Sequence, residues 1–586
     1  MVIEIPRRHT HPASIRPTDH PDRTAPPVSD VVDGFPVDRW WYVLAVTTSG
    51  EDLRRLAADT FGWSRLRAEQ IEAMEHVVAG RDVLVVLPTG AGKSAIYQVP
   101  ALVLDGPTVV VSPLIALQHD QVESIGDSRA PEAVAVNSAQ PDGERQAAWQ
   151  ALRRGAAQYV FLSPEQLADE GRVARLAGLG VSLLVVDEAH CVSSWGHDFR
   201  PDYLRLGSVV ERLGRPTVLA LTATAAPPVR RDIVARLGLR EHREVVASFD
   251  RPELHLAVER FSDDAAKRAA VVGRVRERDG CGLVYVASRK DTEYYAAELG
   301  AAGVRVAGYH AGMKAADRER AHQAFLDGDV DVVVATSAFG MGIDKPDVRF
   351  VLHASVPDSL DSYYQQIGRA GRDGDPAAAV LFYRPEDLHL QRFLTSGKAP
   401  EDTLGAVVGS LHEHDGPVPR ATLAREVDAP PARRTRAVNL LEEVGAVVED
   451  ERGRLAVNRD VTAAEAVEQA VEAEQAHRRL VRSRVAMLRA YAETTGCRRQ
   501  HLLGYFGEQL SEPCGNCDTC DSGTAARRVP GTSAFALDSR VGHPLWGTGV
   551  VMSIEEDRMT VLFDAVGYKT LSLRAVQENN LLSKGA

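Results

Sequence analysis

Two series of short apolar runs leave this chain few folds to adopt. DVLVVLP, TVVVSP, QYVFLSP, SLLVVDE and TVLALTAT fall within residues 50–247, and GLVYVAS, VRVAGYH, DVVVATS and FVLHAS fall within 248–395. The runs are continuous rather than alternating, and amphipathic helical stretches separate them. A strand that is apolar on both faces needs cover on both faces, which crossover helices give to a parallel sheet. The pattern therefore predicts two successive α/β domains, at 46–247 and 248–396.

The rest of the chain reads differently. Residues 1–45 are rich in Pro, His, Arg and Asp without an apolar period, and are expected to form a disordered tail. TLGAVVGSLHEH, RATLAREV and TRAVNLLEEVG predict three short helices, and AVVEDERGRLAVN a hairpin turning at Gly453. Three helices and a hairpin predict a winged-helix-like domain at 397–459. A long helix from about 460 to 492 opens a module that runs to residue 525. The Gly-punctuated stretch VGHPLWGTGVVMSIEEDRMTVLFDAVGYKTLSL predicts a small SH3- or Tudor-like barrel, with its linker, over 526–586.

No apolar run approaches the ~18 residues of a membrane span. The N-terminus lacks a signal peptide's apolar core, so the expected location is cytoplasmic. The net charge of −13 argues against a wholly basic nucleic-acid coat. It leaves local basic patches open.

Chemistry enters with LPTGAGKSAIYQ, which follows one strand-like run and opens a helix. Thr89, Gly90 and Gly92 form a loop whose backbone N–H groups can turn toward a phosphate. Lys93 is placed for the β- and γ-phosphates and Ser94 for Mg²⁺. The strict pattern has Gly where this chain has Leu87. SLLVVDEAH then puts Asp187 at a strand end, where open α/β sheets bind ligands. Asp187 is expected to hold Mg²⁺ and Glu188 to orient and deprotonate a water, a pairing suited to phosphoryl transfer. His190 is expected to relay between this site and the second domain. DSYYQQIGRAGRDG supplies the missing positive charge, with Arg369 and Arg372 as candidate arginine fingers and Gln365 as a polar contact. Catalytic candidates are thus Lys93, Asp187, Glu188, His190, Gln365, Arg369 and Arg372.

Near the end, 16 intervening residues separate Cys497 from two overlapping C-x-x-C pairs at Cys514, Cys517 and Cys520. Four thiolates at this spacing predict a closed tetrahedral zinc site of structural type. The adjoining HRRLVRSRVAMLRAYAETTGCRRQH carries seven Arg against one Glu. On an acidic chain it is the clearest candidate footprint for phosphates.

In their order these motifs resemble the RecQ-type helicases of superfamily 2. The resemblance covers about residues 58–375 and the zinc segment, which includes RRQHLLGYFGE. It implies two RecA-like domains, with ATP, Mg²⁺ and Zn²⁺ as cofactors. FGWSRLRAEQ resembles the family's nucleotide-base motif, which assigns Gln70 to the adenine edge, Arg67 beside it and Phe61 in support. Gly342 and Asp344, in ATSAFGMGIDKPD, match nucleotide-facing positions. Ser112, His310 and Thr336 match strand-binding motifs. CVSSWGHDFRPDY resembles the family's aromatic-rich loop, which senses single-stranded DNA. Trp195 and Phe199 are then stacking platforms and Arg200 a phosphate or cation–π contact, a base on an aromatic ring being worth ~1–3 kcal/mol.

The family commonly places a winged helix after the zinc module, and here the candidate precedes it. The family's strand-separating hairpin is therefore not carried over. The terminal barrel resembles the Tudor-like tail of UvrD/PcrA-type helicases, which implies a protein partner. The expected function is a DNA-dependent ATPase. It would move 3′→5′ on single-stranded and forked DNA in repair or recombination, in a bacterial nucleoid. Two alternatives stay open: an RNA helicase, and a DNA-remodelling ATPase that switches without processive unwinding.

Overall fold

A computed structural model describes residues 48–113, 115–137, 140–193, 200–340, 345–388, 400–450, 453–525, 534–536, 539–554 and 558–584. The tail expected over residues 1–45 lies outside them.

The first domain is a parallel sheet of seven strands: β1 Val83–Val86, β2 Thr108–Val111, β3 Glu132–Ala135, β4 Ala157–Leu162, β5 Leu183–Val186, β6 Thr217–Thr222 and β7 Arg243–Val246. Their order is β3-β4-β2-β5-β6-β1-β7. Every pairing is parallel. β1, β2 and β5 are buried at all positions. One face packs Ile71, Met74 and Val77 from the helix Ala68–Val78. The other packs Leu206, Val209 and Ile233 from helices Leu206–Arg212 and Pro227–Leu237.

The second domain repeats the scheme with β8 Leu254–Arg260, β9 Cys281–Tyr285, β10 Val306–Tyr309, β11 Val332–Ala335, β12 Val348–His353 and β13 Ala377–Tyr383, in the order β10-β11-β9-β12-β13-β8. It is also wholly parallel. Two strands in each domain escape the sequence pattern. β3 and β7 are edge strands with polar or exposed ends. β8 alternates buried and half-buried positions, and β13 opens on three alanines.

Helices Glu401–His412, Arg420–Glu426 and Pro431–Glu443 follow, with a three-stranded antiparallel sheet of β14 Val418–Pro419, β15 Val447–Glu449 and β16 Arg454–Val457. Gly453 has φ +71°, as the hairpin requires. This winged-helix-like core also takes Ala466 and Ala470 from the helix Ala463–Glu493. That helix starts at a capping box formed by Thr462 and Glu465. At 31 residues it is about 46 Å long. Its far end packs Leu488 and Tyr491 into the main core. Last comes a five-stranded antiparallel sheet of β17 Arg540–His543, β18 Gly547–Ile554, β19 Arg558–Phe563, β20 Gly567–Ser572 and β21 Ser583–Lys584, closed over Val541, Val551, Val561 and Phe563. No helix among the described residues is long and apolar enough to cross a membrane.

Candidate functional site

The order β5-β6-β1 brings three C-terminal strand ends together. The loop after β1 carries Lys93, β5 delivers Asp187 and Glu188, and β6 ends at Thr222 between them. Gly90 and Gly92 have φ +80° and +72°. A Cβ at Gly92 would lie 2.7 Å from Gln70 Nε2, so the left-handed turn and the close approach both demand glycine. Leu87, the departure from the strict motif, is fully buried. Its carbonyl accepts from Lys93 Nζ at 3.3 Å and its N–H donates to Thr222 O at 3.1 Å. Leu87 thus fastens the loop to β6 through its backbone while its side chain fills the core.

Gln70 Nε2 donates to Gly92 O at 2.8 Å and Ala91 O at 3.1 Å, and its Oε1 accepts from Arg67 N at 2.7 Å. Its amide therefore braces the phosphate loop. Phe61 stacks on Trp63 at 4.5 Å against the first domain's core. Gln70 stands behind the loop, and neither it nor Arg67 nor Phe61 lines the cleft described below.

Burial pushes the Lys93 pKa down, and Glu188 and Asp187 oppose that shift. Burial, reinforced by Glu188, raises Asp187 to about 7, against the pull of Lys93. The half-buried Asp187 and the buried Glu188, lining the cleft with Ser94, form a donor set that fits a hard divalent cation such as Mg²⁺. Glu188 sits at φ +49°, ψ +45°, a conformation costing about 1–2 kcal/mol for a residue with a Cβ. The turn sets its carboxylate 3.2 Å from His190 Nδ1. His190 Nδ1 is also 2.9 Å from Thr222 Oγ1. Thr222 donates its hydroxyl proton to Thr224 O at 3.1 Å and accepts from Thr224 N at 3.2 Å. The hydroxyl oxygen is therefore an acceptor for His190 Nδ1–H, and the Glu188 carboxylate stands beside the same nitrogen. Burial disfavours a charged His190, yet Cys191 and Glu188 lift its pKa well above the ordinary range. Tyr203 Oη donates to Asp187 O at 3.1 Å, a contact that the motifs alone did not reveal.

Gln365, Arg369 and Arg372 of the second domain face this machinery across a cleft of about 730 Å³, whose opposite wall includes Thr89, Gly90, Gly92, Lys93, Ser94, Asp187 and Glu188. Gln365 lies on helix Leu360–Ile367 and the arginines just beyond it. Arg369 is buried, and Arg372 Cδ lies 3.1 Å from where a Cβ on Gly90 would stand. The seven catalytic candidates thus meet around one space or, for His190, directly behind it.

The strand-binding candidates are more dispersed. Ser112 is buried in the cleft wall at the end of β2. His310 and Thr336 follow the adjacent strands β10 and β11. His310 Nε2 lies 3.8 Å from Glu293, and Thr336 Oγ1 accepts from Ala338 N at 3.4 Å. Arg200 is tied back by its N–H to Cys191 O at 3.1 Å and by Nη1 to Pro113 O at 3.3 Å. Trp195, Phe199, Gly342 and Asp344 lie outside the described residues.

The Sγ atoms of Cys497, Cys514, Cys517 and Cys520 all lie within 4.8 Å of one another. Tetrahedral zinc at ~2.3 Å from each sulfur needs S–S spacings of about 3.8 Å. Cys514 and Cys520 stand 3.9 Å apart. Backbone N–H groups of Cys514 and Asn516 donate to Cys497 and Cys514 Sγ at 3.3 Å, as thiolate ligands require. The arginine-rich stretch beside this site is partly buried. Arg484, Arg498 and Arg499 are buried. Arg498 pairs with Asp518, and Arg499 with Asp250. Arg478 lies 3.8 Å from Glu474 and Arg489 2.9 Å from Glu493. Acidic side chains from other segments thus reach Arg498 and Arg499, while Arg479, Arg482 and Arg489 stay exposed.

Residues 67–232 match the DEAD/DEAH box helicase family, 266–374 the helicase conserved C-terminal domain and 458–521 the RecQ zinc-binding family. The chain is 35% identical over 462 residues to the probable ATP-dependent DNA helicase RecS of Bacillus subtilis, covering 78% of this chain and 89% of RecS. It is 35% identical over 461 residues to the ATP-dependent DNA helicase RecQ of Pasteurella multocida, of which it spans 61%. The DNA-bound helicase MrfA, a solved structure, shares 18% identity at a TM-score of 0.49, over 70% of this chain and 59% of that one.

Proposed function

Because this chain belongs to the RecQ-like ATP-dependent DNA helicases of superfamily 2, we propose that it hydrolyses ATP in response to single-stranded DNA and moves 3′→5′ along it. The observation that carries the proposal is the chain from Glu188 through His190 to Thr222, set behind a cleft whose other wall brings Gln365, Arg369 and Arg372.

Phosphoryl transfer needs positioning and charge neutralisation more than covalent chemistry. Lys93 and the loop N–H groups hold the β- and γ-phosphates. Ser94 and Asp187 would hold Mg²⁺, which would neutralise phosphate charge. Glu188 orients the attacking water and takes its proton, and His190 fixes the carboxylate's direction. Arg369 and Arg372 stabilise charge on the departing phosphoryl group. They come from the second domain, so hydrolysis is competent only with the cleft closed, and alternate closing and opening ratchets a bound strand. Trp195, Phe199 and Arg200 sense that strand a few residues beyond Glu188, while Ser112, His310 and Thr336 contact it. Gln70, with Arg67 and Phe61, answers to the base through its hold on the loop. Gly342 and Asp344 serve the nucleotide from the second domain.

We assign the activity to DNA repair or recombination at the bacterial nucleoid, with the terminal barrel as a seat for a protein partner. Steady-state ATP hydrolysis with Mg²⁺ tests the reading in three conditions: no nucleic acid, single-stranded DNA and single-stranded RNA. Stimulation by DNA above RNA is expected. Equal stimulation by RNA, or none by either, overturns it.

A further inference from the structure

We propose that Arg230 is a positioning residue that links the two halves of the catalytic machinery through the zinc module; the proposal rests on the ATPase reading above. Glu188 belongs to the first domain and Arg369 and Arg372 to the second, and they face each other across the cleft. A second route joins them from behind.

That route starts at the buried pair Thr222 and Thr224, which holds His190. The next residue, Ala225, presents its carbonyl to Arg230 Nε at 2.9 Å. The same guanidinium donates through Nη2 to Phe506 O at 3.1 Å, so one rigid fork spans two domains. Phe506 follows the helix Arg498–Tyr505 of the zinc module and is fully buried. Its ring stacks on Phe249, in the segment joining the two α/β domains, at 4.5 Å and 6°. It also meets Tyr364 at 4.9 Å, on the helix that carries Gln365 and leads into Arg369 and Arg372. Tyr364 Oη donates to Phe249 O at 2.9 Å. Glu508, two residues past Phe506, accepts from Ser248 Oγ at 2.6 Å and Phe249 N at 2.7 Å.

Hydrogen bonds and ring contacts thus lead from His190 to the arginine-bearing helix, and Arg230 is the charged side chain that carries them from the first domain to the zinc module. Closing the cleft must keep Thr222–Ala225 and the Tyr364 helix in register. Arg230 sets that register by gripping a carbonyl on each side. The zinc site holds the Phe506 end firm, so its service to hydrolysis is mechanical.

The test uses the zinc-loaded full chain and its Arg230→Ala and Arg230→Lys variants. It reads kcat and KM for ATP at saturating single-stranded DNA, zinc content and DNA affinity. Arg230→Ala is expected to lower kcat by about tenfold or more while KM shifts less than about threefold, the mark of an interaction made only on the way to the transition state. Zinc content and DNA affinity should stay at the unsubstituted values. Arg230→Lys, reaching one carbonyl rather than two, should recover part of kcat. Unchanged kcat in Arg230→Ala overturns the proposal. So does a fall in kcat that tracks zinc loss and is not recovered by lysine, since that marks an anchor for folding alone. If the unsubstituted chain is not stimulated by DNA, the functional reading fails instead, and the same kcat and KM split without DNA still decides for or against Arg230.

Discussion

Thr222→Val removes one hydroxyl and keeps the β-branched shape that suits the end of β6. Three bonds go with it: from His190 Nδ1 at 2.9 Å, from Thr224 N at 3.2 Å and to Thr224 O at 3.1 Å. Thr222 and Thr224 are buried, so water does not replace them. A buried polar group left without its partner costs about 1–3 kcal/mol, which puts the stability loss at a few kcal/mol. The kinetic effect is more specific. His190 loses the acceptor that orients its ring, and with it the alignment that lets Nδ1, 3.2 Å from the Glu188 carboxylate, enter a charge-assisted hydrogen bond worth ~1.5–3 kcal/mol. If that energy is felt only when Glu188 activates water, kcat falls roughly 10- to 100-fold. KM should move less than about threefold, because Lys93 and its loop are untouched. Thr222→Ser keeps the hydroxyl and should recover most of kcat. Steady-state hydrolysis, with melting temperature as the folding control, makes the comparison. A valine variant that melts earlier yet keeps kcat would falsify the view that Thr222 serves Glu188 through His190. Equal loss in serine and valine would sink it too, because it would point to the missing methyl or to packing.

Other outcomes follow from the same geometry. Lys93→Ala should abolish turnover, and residual activity above background would mean that the phosphates bind elsewhere. Asp187 has a raised pKa near 7, so its contribution to the stability of the metal-free fold is fully present below the unfolded value and is lost as pH rises through 7. Mg²⁺ binding with ADP should accordingly release a proton below pH 7, read as a dependence of binding heat on buffer ionisation; no dependence at pH 6 would refute it. Chelating zinc should unfold the segment from Cys497 to Cys520 first, since four thiolates lose their common partner. Hydrogen exchange there that is unchanged by chelation would contradict a structural metal. Arg205 of the first domain bonds Glu449 and lies 3.4 Å from Glu442, both in the winged-helix-like region, and Arg420 shares the two carboxylates. Arg205→Ala should speed exchange over Val447–Glu449, and more so at low salt, where the lost attraction is strongest. Equal exchange in the two proteins would show that the contact contributes nothing.

Some of this could be read directly from residues. Continuous runs such as LLVV before Asp187 can only be strands covered on both faces, and they announced two parallel sheets. Glycine at 90 and 92, lysine at 93 and the Asp-Glu pair each carry chemistry that few other arrangements use. The cysteine spacing specified a metal site because thiolates so close must share a cation. The edge strands β3 and β7 were missed for an equally physical reason: a strand with one open side keeps polar residues, and its pattern fades. The arginine-rich stretch was only partly legible, because charge in a sequence does not say which acidic side chains will fold against it. Arg498 finds Asp518, and Arg499 finds Asp250 some 249 positions away.

What the sequence determined was therefore the local chemistry and the layered fold: phosphate loop, carboxylates, zinc ligands and strands, each set by neighbours within a few residues. What tertiary structure alone decided was partnership. The brace from Gln70 to the loop, the Thr222 hydroxyl behind His190, and the Arg230 fork between Ala225 and Phe506 all join groups far apart in the chain. A hydrogen bond exists only where donor and acceptor meet within about 3 Å, and that distance is fixed by how the domains pack.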